Sequence, residues 1–266
     1  MSLGSTTVGP LARWLITSYD WRTAMLVIGD LAWLLIIPAA LLVREPAPSG
    51  QTAAAAAGAS DDSGFTVAQA LTSPQFAAIA LAFFACCAAH SGPIFHMITH
   101  AIDHGVAAMA ATTVLSVAGL ASLGGRIVCG LIADRIGAKP MLVIGLSMQA
   151  IAVSLYVFTN SLGSFYALSV LFGFSYGGVM PLYAILIREY FGARIMGTTF
   201  GAVSAVSTLG MALGPWAGGF FYDALGGYFW LYLGSFGIGL GAVAIAFTFR
   251  PPRRQPAALP SPSLAT

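Results

Sequence analysis

Long apolar runs, each about the length needed to cross a bilayer and each closed by a short polar turn, follow one another along this chain of 266 residues. A helix rises 1.5 Å per residue and the hydrocarbon core is ~30 Å thick, so ~20 consecutive apolar residues read as one span. Backbone N–H and C=O groups find no water in lipid, and runs of this length satisfy them as helices. Spans are predicted at 24 to 43, 74 to 101, 107 to 132, 140 to 159, 164 to 187, 196 to 222 and 228 to 249. An eighth element, Leu3 to Tyr19, is short and interrupted by Thr6, Thr7 and Arg13; it reads as the remaining end of a helix whose beginning is missing. Charged residues make up 8% of the chain, against about 25% in soluble domains. The expectation is an all-α membrane protein with several spans. A net charge of +2, scattered along the chain, gives no footprint for a nucleic-acid partner.

The intervening segments divide the chain. Residues 1–44 form a first pair of helices, 45–72 a cytoplasmic linker, 73–250 a six-helix bundle and 251–266 a disordered tail. The linker is rich in Pro, Ser, Gly and Ala, and Phe65 to Leu71 is expected as a short interfacial helix at its end. Ser91-Gly92-Pro93 falls inside a span, where proline is expected to kink or break the helix. Of the 11 Lys and Arg residues, Arg44, Arg135, Lys139, Arg188, Arg194, Arg250, Arg253 and Arg254 fall on the side reached after an even number of spans. Only Arg22 lies in a loop on the other side. The linker, the turn at Asp134 and the C-terminus are therefore expected in the cytoplasm, with the chain spanning the cell membrane several times.

A repeat underlies this order. Gly9-Pro10 and Gly214-Pro215 are each followed by an apolar stretch, an aspartate (Asp20, Asp223), an aromatic helix start (Trp21, Trp230) and a terminal arginine (Arg44, Arg250). A six-helix unit is thus expected once whole and once as its final third, which would leave four helices outside this chain.

One charge stands out. Arg126 precedes Asp134 by eight residues, ~12 Å of helix, too deep for its guanidinium to reach the interface with ease. Gly119, Ser122 and Gly130 share its helical face, leaving room for a ligand. No carboxylate stands three or four positions away, so the planar fork is suited to hold an anion through two hydrogen bonds. The alternative is a structural charge paired with backbone carbonyls or with an acid outside this chain.

The turn Gly130-Leu131-Ile132-Ala133-Asp134-Arg135-Ile136-Gly137-Ala138-Lys139 resembles the loop motif of the major facilitator superfamily, G-x-x-x-D-R-x-G-x-K/R. Gly9-Pro10 and Gly214-Pro215 resemble the Gly-Pro motif carried by the fifth and eleventh helices of that family. The resemblance implies a helical bundle representing helices five to twelve of a twelve-helix transporter. More narrowly, Pro74-Gln75-Phe76, Gly92-Pro93-Ile94-Phe95-His96, Asp103-His104-Gly105 and the Gly-Arg at Arg126 resemble oxalate/formate antiporters and monocarboxylate transporters. In that group Arg126 takes the place of a helix-eight arginine that holds a carboxylate. Ser122 stands where animal members carry an aspartate, which departs from an Asp-Arg proton couple. By the same resemblance Asp134, Arg135 and Lys139 form the charge lock of a cytoplasmic gate; the plain reading is a turn that sets orientation only.

Other polar residues are candidates for smaller roles. His90, mid-span, is a proton-coupling candidate because imidazole titrates near neutral pH. His96, His100 and His104 recur every four residues, and they either line the external mouth of their helix or are solvated. Together with Arg126 and Ser122, His90 and His96 make up the expected substrate-binding set. Arg13 and Asp30, at similar depth in a hairpin, are expected to neutralise each other. The rows Gly210, Gly214, Gly218 and Gly173, Gly177, Pro181 read as close helix contacts. Cys86, Cys87 and Cys129 read as buried packing thiols. The sequence offers no catalytic set, no metal cluster and no cofactor motif.

The expected function is secondary active transport of a small organic anion, a mono- or dicarboxylate, by alternating access in the lipid bilayer, with protons as a possible coupling partner and the chain incomplete as given. Two other readings fit the same composition: a transporter of a neutral or cationic solute, and a membrane sensor or partner subunit that does not transport.

Overall fold

The computed structural model describes residues 2–43 and 66–250. They form helices α1 (Ser2–Ser18), α2 (Trp21–Leu42), α3 (Val67–Leu71), α4 (Pro74–Asp103), α5 (Ala108–Ile136) and α6 (Ala138–Leu155). A 3₁₀ turn (Tyr156–Phe158), α7 (Leu162–Phe191), α8 (Met196–Leu225) and α9 (Phe229–Phe247) follow. Seven of these, α2 and α4 to α9, are long and apolar enough to cross a membrane; α1, with 17 residues, is the short element expected. Most of the linker, Arg44 and the tail lie outside the described residues.

Local chemistry sets the helix starts. Ser73 accepts the Phe76 N–H at 3.1 Å ahead of Pro74, whose missing N–H costs nothing in a first turn. Thr66 with Gln69, and Ser161 with Ser164, form reciprocal caps on α3 and α7. Asp20 caps α2 by accepting the Thr23 N–H at 2.6 Å; that bond holds the fully exposed Asp20 carboxyl below its ordinary pKa.

Two expectations about breaks need correction. α4 runs unbroken through Pro93. The proline removes one donor, but the helix is buried there against α8 and α9. A Cβ on Gly92 would meet Leu231 Cδ1 at 2.7 Å, and one on Gly214 would meet the backbone of Ser91 and Gly92. The helix is closely packed on both neighbours at the proline. The charged turn is also shorter than expected. Asp134 and Arg135 end α5, Lys139 begins α6, and only Gly137 lies between, at φ 92°. That conformation strains any residue with a Cβ, which is why glycine stands there.

The expected glycine rows are the contacts between helices. Cβ atoms on Gly125, Gly173 and Gly177 would run into the backbones of Phe174, Ala118 and Ser122, so α5 and α7 touch main chain to main chain. Gly210 and Gly214 do the same for α8 against Phe84, Ser91 and Gly92 of α4, while a Cβ on Gly218 would meet the His96 ring. α1 lies on α5 through a reciprocal pair: Thr6 Oγ1 donates to Ser116 O at 3.2 Å, and Ser116 Oγ to Thr6 O at 2.8 Å.

Lys139 Nζ donates to the carbonyls of Phe247 and Phe249, at 2.9 and 2.6 Å, where α9 ends. The start of α6 and the ends of α5 and α9 therefore share one end of the bundle, where Arg135, Lys139 and Arg250 gather. At the other end His100 Nε2 donates to Tyr156 O at 3.3 Å, and Tyr228 closes over the same group of rings. Two apolar cores fill the bundle, one around the stacked Phe83 and Tyr183 rings and one around Tyr156 and Tyr232. By contrast α2 leaves Trp33, Leu34, Leu35, Leu41 and Leu42 exposed, which lipid tolerates. The expected Arg13 to Asp30 pair does not form: no hydrogen bond or ion pair joins them, and Asp30 lies on the exposed side of α2.

Candidate functional site

Because α5 and α7 meet through small residues, they leave space on their flank. A cavity of about 260 Å³ opens there, bounded by Ile94 and Met97 of α4, Leu115, Ala118, Gly119, Ser122 and Arg126 of α5, and Phe172, Gly173 and Tyr176 of α7. Arg126 stands in it half-buried, and its Nε is fully buried without a hydrogen-bond partner. A buried guanidinium N–H left unpaired is costly, and an acceptor entering the cavity would relieve that cost. Gly119 and Ser122, two turns and one turn before Arg126, line the same wall, as their spacing predicts.

The structure brings Arg126 and Ser122 together and sets His90 just behind them. His90 is 1% exposed; its ring stands edge-on to Tyr176 at 4.9 Å between centroids, and its Nδ1 lies 3.9 Å from Cys86 Sγ. Tyr176 in turn stacks on Phe172 at 6.3 Å. His96 is elsewhere. Its Nε2 donates to Pro215 O at 3.2 Å and its Nδ1 lies 3.3 Å from Tyr228 Oη, so it faces α8 and α9 and takes no part in the cavity wall. Gly218 makes room for that ring. His100 is buried against Tyr156 and Thr159, whereas His104 is exposed at the end of α4, where its Nδ1 donates to His100 O at 2.9 Å. Among the described residues no three His, Cys, Asp or Glu side chains converge as a metal site. The three cysteines are free and buried.

At the charged end Asp134 and Arg135 are exposed, while Lys139 is bound to α9 as described. Tyr176, Phe172, Met97, Ile94 and Leu115 are the wall residues that the sequence did not point to. Only Tyr176 carried a signal, a polar aromatic beside Gly177 in a row of small residues.

A bundle with seven helices long and apolar enough to cross a membrane is the architecture of a multi-pass membrane protein. The family model of the Major Facilitator Superfamily matches residues 1–137 and 126–265, and the chain belongs to that superfamily. It is 25% identical to "Monocarboxylate transporter 13" of Bos taurus over 279 residues, covering 100% of this chain and 63% of the relative. It is 27% identical to "Monocarboxylate transporter 11" of Homo sapiens over 240 residues, 84% of this chain and 49% of the relative. Over a shorter stretch of 123 residues, 46% of this chain and 28% of the relative, it is 32% identical to the "Cis,cis-muconate transport protein" of Acinetobacter baylyi. The chain spans about half to two-thirds of the length of the first curated relatives it matches, at 63%, 52% and 50%.

Proposed function

We propose that the chain serves secondary active transport of a small organic anion, a mono- or dicarboxylate, with Arg126 as the anchor of the carboxylate. The observation that carries this reading is the buried, unpartnered Nε of Arg126 facing a cavity with room for a ligand. A guanidinium pairs with a carboxylate through two parallel N–H···O bonds. Relatives named for monocarboxylate and muconate transport favour the same class of solute. Alternating access follows as the mechanism, with residues 1–44 and 73–250 belonging to different halves joined by 45–72, and with Asp134, Arg135 and Lys139 at the cytoplasmic gate. The crowding of Lys and Arg at one end of the bundle supports a cytoplasmic C-terminus in the cell membrane. His90, behind Tyr176, is the candidate for any proton that accompanies the anion.

Equilibrium dialysis of labelled acetate and lactate against the purified chain in lipid nanodiscs tests the anchor, with Arg126→Gln alongside. Removing one partner of a buried charge pair costs ~2–5 kcal/mol, so Kd should rise at least ~30-fold. Equal binding by the two proteins, both folded, would refute the assignment.

A further inference from the structure

At the end of the bundle where basic residues gather, a second cavity of about 200 Å³ opens between the start of α4 and the ends of α7 and α9. Gln75 and Ala78 of α4, Tyr190 of α7, and Thr248 and Arg250 just beyond α9 line it. Its donors are uncommitted: among the described residues nothing pairs with the guanidinium of Arg250, the amide of Gln75 or the hydroxyl of Tyr190. Thr248 Oγ1 already donates to Ile245 O at 2.7 Å. The carbonyls of Phe247 and Phe249, which would repel an anion if bare, accept from Lys139 Nζ. Among the described residues no Asp or Glu lines the cavity, and Glu189, although next to Tyr190, stands outside it. One cation, two neutral donors and no acid suit a group with a single negative charge and no ammonium.

The cavity continues into the hydrocarbon. Leu81, three residues beyond Ala78 on the same face of α4, is 54% exposed. Ala244 and Gly241, four and seven residues before Thr248, share its face of α9 and are exposed. A Cβ on Gly241 would meet nothing within 4 Å. Because α4 and α9 pack on each other, as at Gly92 and Leu231, a projecting leucine on one side and a strip of small residues on the other leave a furrow along their seam. From Thr248 to Gly241 it runs for ~10 Å.

We infer that this is a site for one anionic glycerophospholipid with a hydroxylated headgroup, phosphatidylglycerol being the simplest. Arg250 pairs with the phosphate, Gln75 and Tyr190 bind the headgroup hydroxyls, and an acyl chain lies in the furrow beside Leu81. Phosphatidylcholine and phosphatidylethanolamine would bring a cationic group that no carboxylate of the cavity meets. A soluble phosphate would leave the furrow empty. The inference is independent of the anion reading of Arg126, which concerns the other cavity.

The test is native mass spectrometry of the full chain in detergent, titrated with phosphatidylglycerol, phosphatidylethanolamine or phosphatidylcholine. One phosphatidylglycerol should be retained at lower concentration than either zwitterionic lipid. Arg250→Gln should raise its Kd about fivefold, the share of one basic residue near a membrane surface, and leave phosphatidylcholine unchanged. Ala244→Leu, which fills the furrow and keeps the charge, should weaken phosphatidylglycerol too. Arg188→Gln, exposed at the same end but outside the cavity, should change nothing. Equal retention of the three lipids, or equal losses in Arg250→Gln and Arg188→Gln, overturns the inference in favour of diffuse attraction by the basic end. Unchanged retention in Ala244→Leu, or displacement of the lipid by millimolar glycerol phosphate, overturns it in favour of a soluble anion.

Discussion

Gly124 and Gly125 are neighbours in sequence, yet a methyl group added to each meets opposite surroundings. A Cβ on Gly124 has nothing within 4 Å, while one on Gly125 would run into the carbonyl of Phe174, with Phe174 C at 2.8 Å and Cα at 3.0 Å. Ordinary carbon contacts begin near 3.4 Å, so in Gly125→Ala α5 and α7 must part by several tenths of an ångström or more. The obstacle is backbone, which cannot rotate away. Overpacking of this kind costs ~1–3 kcal/mol, whereas alanine in place of an unhindered helical glycine gains up to ~1 kcal/mol. The two variants should therefore differ by about 2 kcal/mol or more, with opposite signs relative to the wild type. For a chain of this size that corresponds to a gap of at least ~4 °C in Tm. Cys86, Cys87 and Cys129 are buried and free, so a thiol-reactive fluorophore reports unfolding without any added label. Because Arg126 adjoins the displaced contact, Gly125→Ala should also weaken anion binding. Equal Tm values for the two variants, or a more stable Gly125→Ala, would refute the claim that α5 and α7 meet backbone to backbone at this point.

Two further outcomes follow from the helix ends. Lys139→Ala removes two hydrogen bonds to the last carbonyls of α9; Lys139 is half-exposed, so the loss should be only ~1 kcal/mol, seen as a lower Tm and faster proteolysis after Phe249, with Lys139→Arg restoring part of it. The Asp20 cap should depend on pH in one direction. Its folded pKa is lowered by the Thr23 N–H, so the cap's contribution is complete above the unfolded carboxylate pKa and disappears as pH falls through the lowered folded value. An NMR titration should show the Thr23 amide resonance moving only below the ordinary carboxylate range, and Asp20→Asn should abolish the movement.

What the sequence made legible and what it hid divide along physical lines. The spans were readable because lipid permits little but a helix for each long apolar run, and the glycine rows because four-residue spacing puts them on one face. Arg126 and Ser122 stood out by contrast, a charge and a hydroxyl in hydrocarbon. Phe172, Met97, Ile94 and Leu115 had no such contrast; an apolar residue lining a cavity looks the same in sequence as one facing lipid. The misplacement of His96 has another cause. Its partners Pro215 and Tyr228 lie 119 and 132 residues away, so only the packing of α8 and α9 on α4 shows that the ring is occupied. Pro93 signals a kink or break locally, and α4 continues as helix through it, packed at Gly92 against α8 and α9.

The charge and the glycines explain each other. A guanidinium at Arg126 could not face lipid at modest cost, and it is tolerable only beside a cavity that an anion or water can enter. That cavity exists because Gly125, Gly173 and Gly177 draw α5 and α7 together along one line, which leaves their flank open toward α4. Helices held apart by larger residues would fill the flank with their own side chains, and helices without the cation would gain nothing by leaving it empty. Changes in the glycine row should therefore lower stability and anion affinity together. Phe172 and Met97, buried in the apolar core beside the opening, should lower Tm as well when truncated, by ~2–5 kcal/mol of stability.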